Sequence, residues 1–164
     1  MIGRQRESAW LRDALAPERS AVQIVGPAGI GKSSLARAAV VDLSAVWLSL
    51  EAIPTGTLRR HLAGRLDTRA SADALAAAVE GADFVVFDGA ETHVEEANGL
   101  VEEWLERHLD VRVIVTSQVR VGSWPTLDLG PLGSEEAVEL FLERGRSHLG
   151  FATELPREPI EKLV

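Results

Sequence analysis

The run Gly26-Pro27-Ala28-Gly29-Ile30-Gly31-Lys32-Ser33 sets glycines, a lysine and a hydroxyl at the spacing G-x-x-x-x-G-K-[ST]. Glycines admit backbone angles that side chains forbid, so successive N–H groups converge on phosphate oxygens where a helix begins. This chemistry assigns the loop, with Ser34 behind it, to a nucleotide polyphosphate. Lys32 reaches the β and γ phosphates, and the Ser33 hydroxyl ligates magnesium. The mechanism needs a strand before the loop and a helix after it, and the apolar run 21–25 and the helical segment 34–41 supply both. Of seventeen basic residues only Lys32 and Lys162 are lysines, so a lysine at this position stands out.

A phosphate-bound magnesium needs a second oxygen donor at the end of a neighbouring strand, and Phe84-Val85-Val86-Phe87-Asp88 ends in one. Hydrolysis also needs a group to orient water. Asp88 is followed by Gly89, and the next carboxylate is Glu91, which either acts through a water or favours the N-terminus of the following helix. A further apolar run ends in Thr116-Ser117-Gln118. At the carboxyl end of a parallel strand these side chains face the phosphates. No N-K-x-D element follows any strand, which disfavours guanine as the base. His61, His93, His108 and His148 form no metal-spaced pair and read as surface or helix-face residues.

The elements that must position these groups are legible as alternating runs. Strands are expected at 21–25, 46–50, 84–87, 111–115 and 126–129, each short, apolar and rich in β-branched or aromatic residues. Between them, Leu100, Val101, Trp104, Leu105 and Leu109 form one helical stripe opposite a charged, solvated face. Segment 70–79 reads as an alanine-rich helix, and Ser134 reads as the N-cap of a helix through Leu142. Strand and helix in alternation imply an α/β layered sheet, mainly parallel, with right-handed crossovers. The chain is 164 residues long, 46% apolar and 26% charged, which is enough for one cored domain. It has no cysteine, which excludes disulfides and thiolate chemistry. A net charge of −8 opposes nonspecific attraction to nucleic acid, and no apolar run approaches the roughly 18 residues of a membrane span. The cytoplasm is the expected compartment, with no direct nucleic-acid or membrane partner.

Several boxes in order resemble a family. Ile2-Gly3-Arg4-Gln5-Arg6-Glu7 is similar to the hydrophobic-G-R-E-R-E box that opens the ATPase module of STAND proteins, signal-transduction ATPases with numerous domains. The nearest likeness is to the NB-ARC-like modules of bacterial LuxR-type and antibiotic-regulator-type transcription factors. Val46-Trp47-Leu48-Ser49-Leu50 resembles their V-W-F-V-x-L strand, and Asp88-Gly89-Ala90-Glu91-Thr92-His93 their D-N-C-E-H box. Segment 112–119 resembles R-V-L-A-T-S-R-E, and segment 129–141 resembles L-x-P-L-x-x-x-E-A-V-x-L-F. The resemblance implies a three-layer P-loop NTPase fold with a five-stranded sheet in the order 5-1-4-3-2. It places Ile2, Gly3 and Arg4 beside the adenine, and Ser33 and Asp88 on magnesium. It also implies a switch in which ADP holds a resting state and ATP drives opening and self-association. Residues 1–155 form the nucleotide-binding domain in this reading, and 156–164 begin the connection to a helical lid. Sensor and output modules are expected C-terminal to it.

Gln118 stands where the family carries an arginine that senses the γ-phosphate, and an amide supplies no charge there. Arg120 is the nearest replacement. The leading expectation is a Mg-ATP/ADP-binding domain with slow hydrolysis, Lys32 and Glu91 carrying the chemistry. One alternative is a nucleotide-sensing module that does not hydrolyse. Another is a small-molecule phosphotransferase using Arg59, Arg60, Arg65 or Arg69 in a lid. A DNA-remodelling ATPase of the AAA+ kind is disfavoured by charge.

Overall fold

The computed structural model describes residues 3–16, 20–107 and 111–149, with side chains as far as Glu143. The elements run α1 (Gln5–Ala14), β1 (Ala21–Val25), α2 (Lys32–Ala39), β2 (Ala45–Ser49), α3 (Leu58–Arg65), α4 (Ala72–Val79), β3 (Phe84–Asp88), a 3-10 turn (Ala90–Thr92), α5 (Val94–Glu106), β4 (Arg112–Ser117), β5 (Thr126–Asp128) and α6 (Ser134–Leu149). The five strands pair in parallel throughout, in the order β2-β3-β4-β1-β5, which is the expected order read from the other edge. The second strand lies one residue earlier than expected, and α1 is a helix that the sequence reading did not assign.

Burial follows position in the sheet. Every residue of β1 is buried, as are all but one in each of β3 and β4, whereas the edge strands β2 and β5 are largely half-exposed. Central strands covered on both faces must be apolar on both, which is why the runs were continuous instead of alternating. Successive residues feed two cores. Val85, Phe87, Val113 and Val115 pack with α3, α4 and α5, while Phe84, Val86 and Ile114 pack with α1 and α2. Trp104 is fully buried in the first core and stacks on Phe87, with 5.6 Å between ring centroids.

One polar residue sits in β1. Gln23 is fully buried; its Oε1 accepts from Val121 N, and its Nε2 donates to Gly122 O and Thr126 Oγ1. It thereby fixes the loop from β4 to β5. The chain leaves β1 toward the α1/α2 face and leaves β3 toward the α5 face, so a crevice opens at the carboxyl ends of these strands. Among the described residues, no helix is long and apolar enough to cross a membrane.

The start of α6 differs in detail from the sequence reading. Ser134 is its first helical residue, not its cap. Gly133 caps the helix: its carbonyl accepts from Ala137 N, and its own N–H donates to the Glu136 carboxylate.

Candidate functional site

Residues 26–31 turn from β1 into α2. Gly29 and Gly31 adopt φ of 74° and 100°, which turns the loop's N–H groups inward ahead of Lys32, the first residue of the helix. The Lys32 ammonium donates to the carbonyls of Gly26 and Pro27, both at 2.9 Å, so it lies folded over its own loop. Strand register sets the opposite wall. Ser49, Asp88 and Thr116 lie side by side at the ends of β2, β3 and β4. Asp88 Oδ1 accepts from the Ser33 hydroxyl and from the Thr116 hydroxyl, each at 2.6 Å, and Thr116 Oγ1 accepts in turn from Gly89 N.

These groups line a cleft of about 360 Å3, together with Ala28, Ser34, Glu51, Glu91 and Gln118. Gln118 Nε2 donates to Glu91 Oε1 at 3.0 Å, while Glu91 Oε2 is buried without a partner. Ser117 is fully buried and turned away; its hydroxyl accepts from Val119 N, capping the turn after β4. Arg120 pairs with Asp128 at the exposed sheet edge and does not line the cleft. A separate cavity of about 340 Å3 lies at the opposite, amino end of the sheet, beside Phe84 and Arg112.

The described part of the opening box packs beside the P-loop and the approach to α6. The Arg4 guanidinium is buried, donating to Gly130 O at 2.7 Å, to Ile30 O at 3.4 Å and to Glu7. Burial alone pushes the Glu7 carboxyl up, but the bond from Arg4, its own backbone N–H and the nearby Arg6 hold it below the usual range. Gly3 lies against Leu132, just before α6, and Glu136 in its first turn. Ile2 and residues 156–164 lie outside the described residues, as do His108 and the side chain of His148.

Two sequence readings need correction. His93 is not a surface or helix-face residue: it is 1% exposed, with Nε2 at 3.0 Å from Ile53 O and Nδ1 at 3.1 Å from Glu96 Oε1. The acidic face of α5 is not simply solvated. Glu96 accepts from Gly56 N and Leu58 N, Glu102 from the Trp124 indole, and Glu103 from Arg59. Burial raises the Glu96 carboxyl, yet the bonds from His93, Gly56 and Leu58 outweigh it and bring it below its ordinary value. The sequence reading passed over Glu51. The rule that found Asp88 and Thr116, polar groups just past the carboxyl end of a strand, points to it equally.

The donor set suits magnesium. A carboxylate and a hydroxyl in contact offer hard oxygens, with phosphate and water to complete an octahedron. Among the described residues no cluster of three or more His, Cys, Asp or Glu forms an all-protein metal site.

Solved structures share this architecture. A Signal Transduction ATPase with Numerous Domains from Pyrococcus horikoshii, with a tetratricopeptide repeat sensor, superposes with a TM-score of 0.66 at 24% identity over 99% of this chain and 27% of that one. The chain has the P-loop NTPase fold. The Walker-type ATPase of Pyrococcus abyssi matches at TM-score 0.65 and 17% identity, over 100% of this chain and 63% of that one. A DNA replication initiation factor matches at 0.66 and 14%, over 98% and 55%. This P-loop chain thus spans less than two-thirds of each neighbour. No protein-family model matches it, and no curated protein does.

Proposed function

We propose that the chain binds Mg-ATP and Mg-ADP, hydrolyses ATP slowly, and serves as the nucleotide switch of a larger STAND-type signalling or regulatory protein. The carrying observation is the convergence of Lys32, Ser33, Asp88 and Thr116 on one cleft at the end of the P-loop. Lys32 exchanges its two carbonyl partners for β and γ phosphate oxygens. Ser33 and Asp88 exchange their mutual bond for the metal, and the loop N–H groups hold the phosphates in place. Magnesium, when bound, neutralises phosphate charge and orients the γ-phosphoryl group.

The charges in the cleft support both the metal and the slow rate. Among the described residues, Glu51, Asp88 and Glu91 face one cation, Lys32, so a polyphosphate is repelled unless a divalent cation accompanies it. Among the described residues no arginine lines the cleft, which leaves Lys32 as the cation there against the charge of the transition state; an arginine is worth about a thousandfold or more in rate. The same absence disfavours a phosphotransferase, and Arg59, one lid candidate, is already tied to Glu103. A switch follows if lid, sensor and output modules elsewhere in the protein contact the ATP and ADP forms unequally, with self-association in the ATP form. A second reading, sensing without hydrolysis, draws on the Gln118 amide, which occupies one oxygen of Glu91.

Calorimetric titration with ADP and with ATP, each with and without magnesium, followed by phosphate release on the same sample, tests the proposal. Magnesium-dependent binding with slow release is expected, and Lys32→Ala should abolish binding. Retained micromolar affinity in that variant would contradict the cradle, and binding without release would favour the second reading.

A further inference from the structure

Two carboxylates other than the metal aspartate line the cleft, and they are not equivalent. Glu91 has one oxygen engaged by Gln118 and the other enclosed without a partner. Glu51 is exposed to the cleft, and its carboxylate has no hydrogen-bond or ionic partner among the described residues. The end of β2 is tied to the metal aspartate itself, since Leu50 N donates to Asp88 O at 2.8 Å. The chain then turns sharply through Ala52, which takes a φ of 64°, a left-handed conformation that a residue with a Cβ adopts only where its surroundings hold it there.

Three further contacts hold that turn from α5 and its cap. His93 Nε2 lies at 3.0 Å from Ile53 O, and Glu96 accepts from Gly56 N at 2.8 Å and Leu58 N at 3.0 Å. Gly89 completes the arrangement. A Cβ at this position would stand 3.0 Å from Glu51 Cγ, so the residue after the metal aspartate is one over which the Glu51 side chain can pass.

We infer that Glu51, not Glu91, is the carboxylate that accepts the proton of the attacking water. The assignment rests on the hydrolytic reading above. In the step it describes, the water oxygen bonds to the γ-phosphorus as the bond from that phosphorus to the β–γ bridging oxygen breaks. The proton passes to the Glu51 carboxylate and then to solvent, leaving ADP and inorganic phosphate. A carboxylate exposed to the cleft and held by no hydrogen bond can turn toward a water. Glu91 is less free to turn, because Gln118 holds one of its oxygens and the other is enclosed by the protein.

The experiment compares E51Q and E91Q in this chain with Mg-ATP, reading phosphate release and Mg-ADP affinity. E51Q should bind Mg-ADP within about threefold of wild type while release falls by about a hundredfold or more, the lower bound for loss of a general base. E91Q should retain release within a few-fold. Because the Glu51 side chain makes no hydrogen bond or ion pair among the described residues, its replacement leaves the fold intact, and retained Mg-ADP affinity certifies this. Release that persists in E51Q, or falls equally in E91Q, overturns the assignment and leaves the hydrolytic reading standing. A wild-type chain that binds but releases no phosphate overturns both.

Discussion

Gly89 shows how much one missing side chain can decide. Its φ of 81° is left-handed, and its neighbour across the cleft is Glu51. Gly89→Ala should therefore cost about 1–2 kcal/mol for the backbone conformation alone, visible as a lower urea midpoint. It should also slow phosphate release by displacing Glu51, while Mg-ADP affinity stays within a few-fold. Unchanged release in a destabilised variant would mean that Glu51 does not need this passage. In the sequence the glycine reads only as a lost polar group, because its partner comes from a strand that sequence-local patterns do not place beside it.

The clamp between α5 and the β2–α3 loop makes a prediction about elements. Glu96 is held below its ordinary value of 4.5, so its folded form favours the carboxylate more than the unfolded chain does. The stability it contributes is present at neutral pH and is lost as pH falls from about the unfolded carboxylate value through the lowered folded one. The difference in unfolding free energy between wild type and Glu96→Gln should accordingly be largest near pH 7 and shrink in acid; a constant difference would remove the ionic character of the clamp. Strands were readable because β-branched runs covered on both faces leave a continuous apolar signal. Their order came from the family likeness, since no local pattern encodes which strand lies beside which. His93 was misread for the same reason: Ile53, whose carbonyl it meets, is forty residues away in sequence. The helix α1 was legible but passed over: Trp10, Leu11 and Ala14 recur at helical spacing among Arg6, Glu7, Arg12 and Asp13.

At the scale of the whole molecule, Arg4 ties together parts that lie far apart along the chain. It joins the entry to α1, the P-loop at Ile30 and the approach to α6 at Gly130, 126 positions away. Arg4→Met keeps the buried stem but strands the Gly130 carbonyl, and should cost about 1–3 kcal/mol in urea unfolding. No measurable loss would mean that water replaces the guanidinium. The P-loop, Asp88 and Thr116 were legible because each follows a strand; this long-range tie was not, because nothing near Arg4 announces its partners. The strand order has one more consequence, for the newborn chain. β2 finds its partner β3 as soon as residue 88 emerges, but β1 pairs only with β4 and β5. The strand that carries the phosphate loop therefore waits, apolar and unpaired, until at least residue 112 has left the ribosome. The oldest part of the site in synthesis is thus among the last to be built, and a nascent chain stalled before β4 has no sheet partner to hold that loop in place.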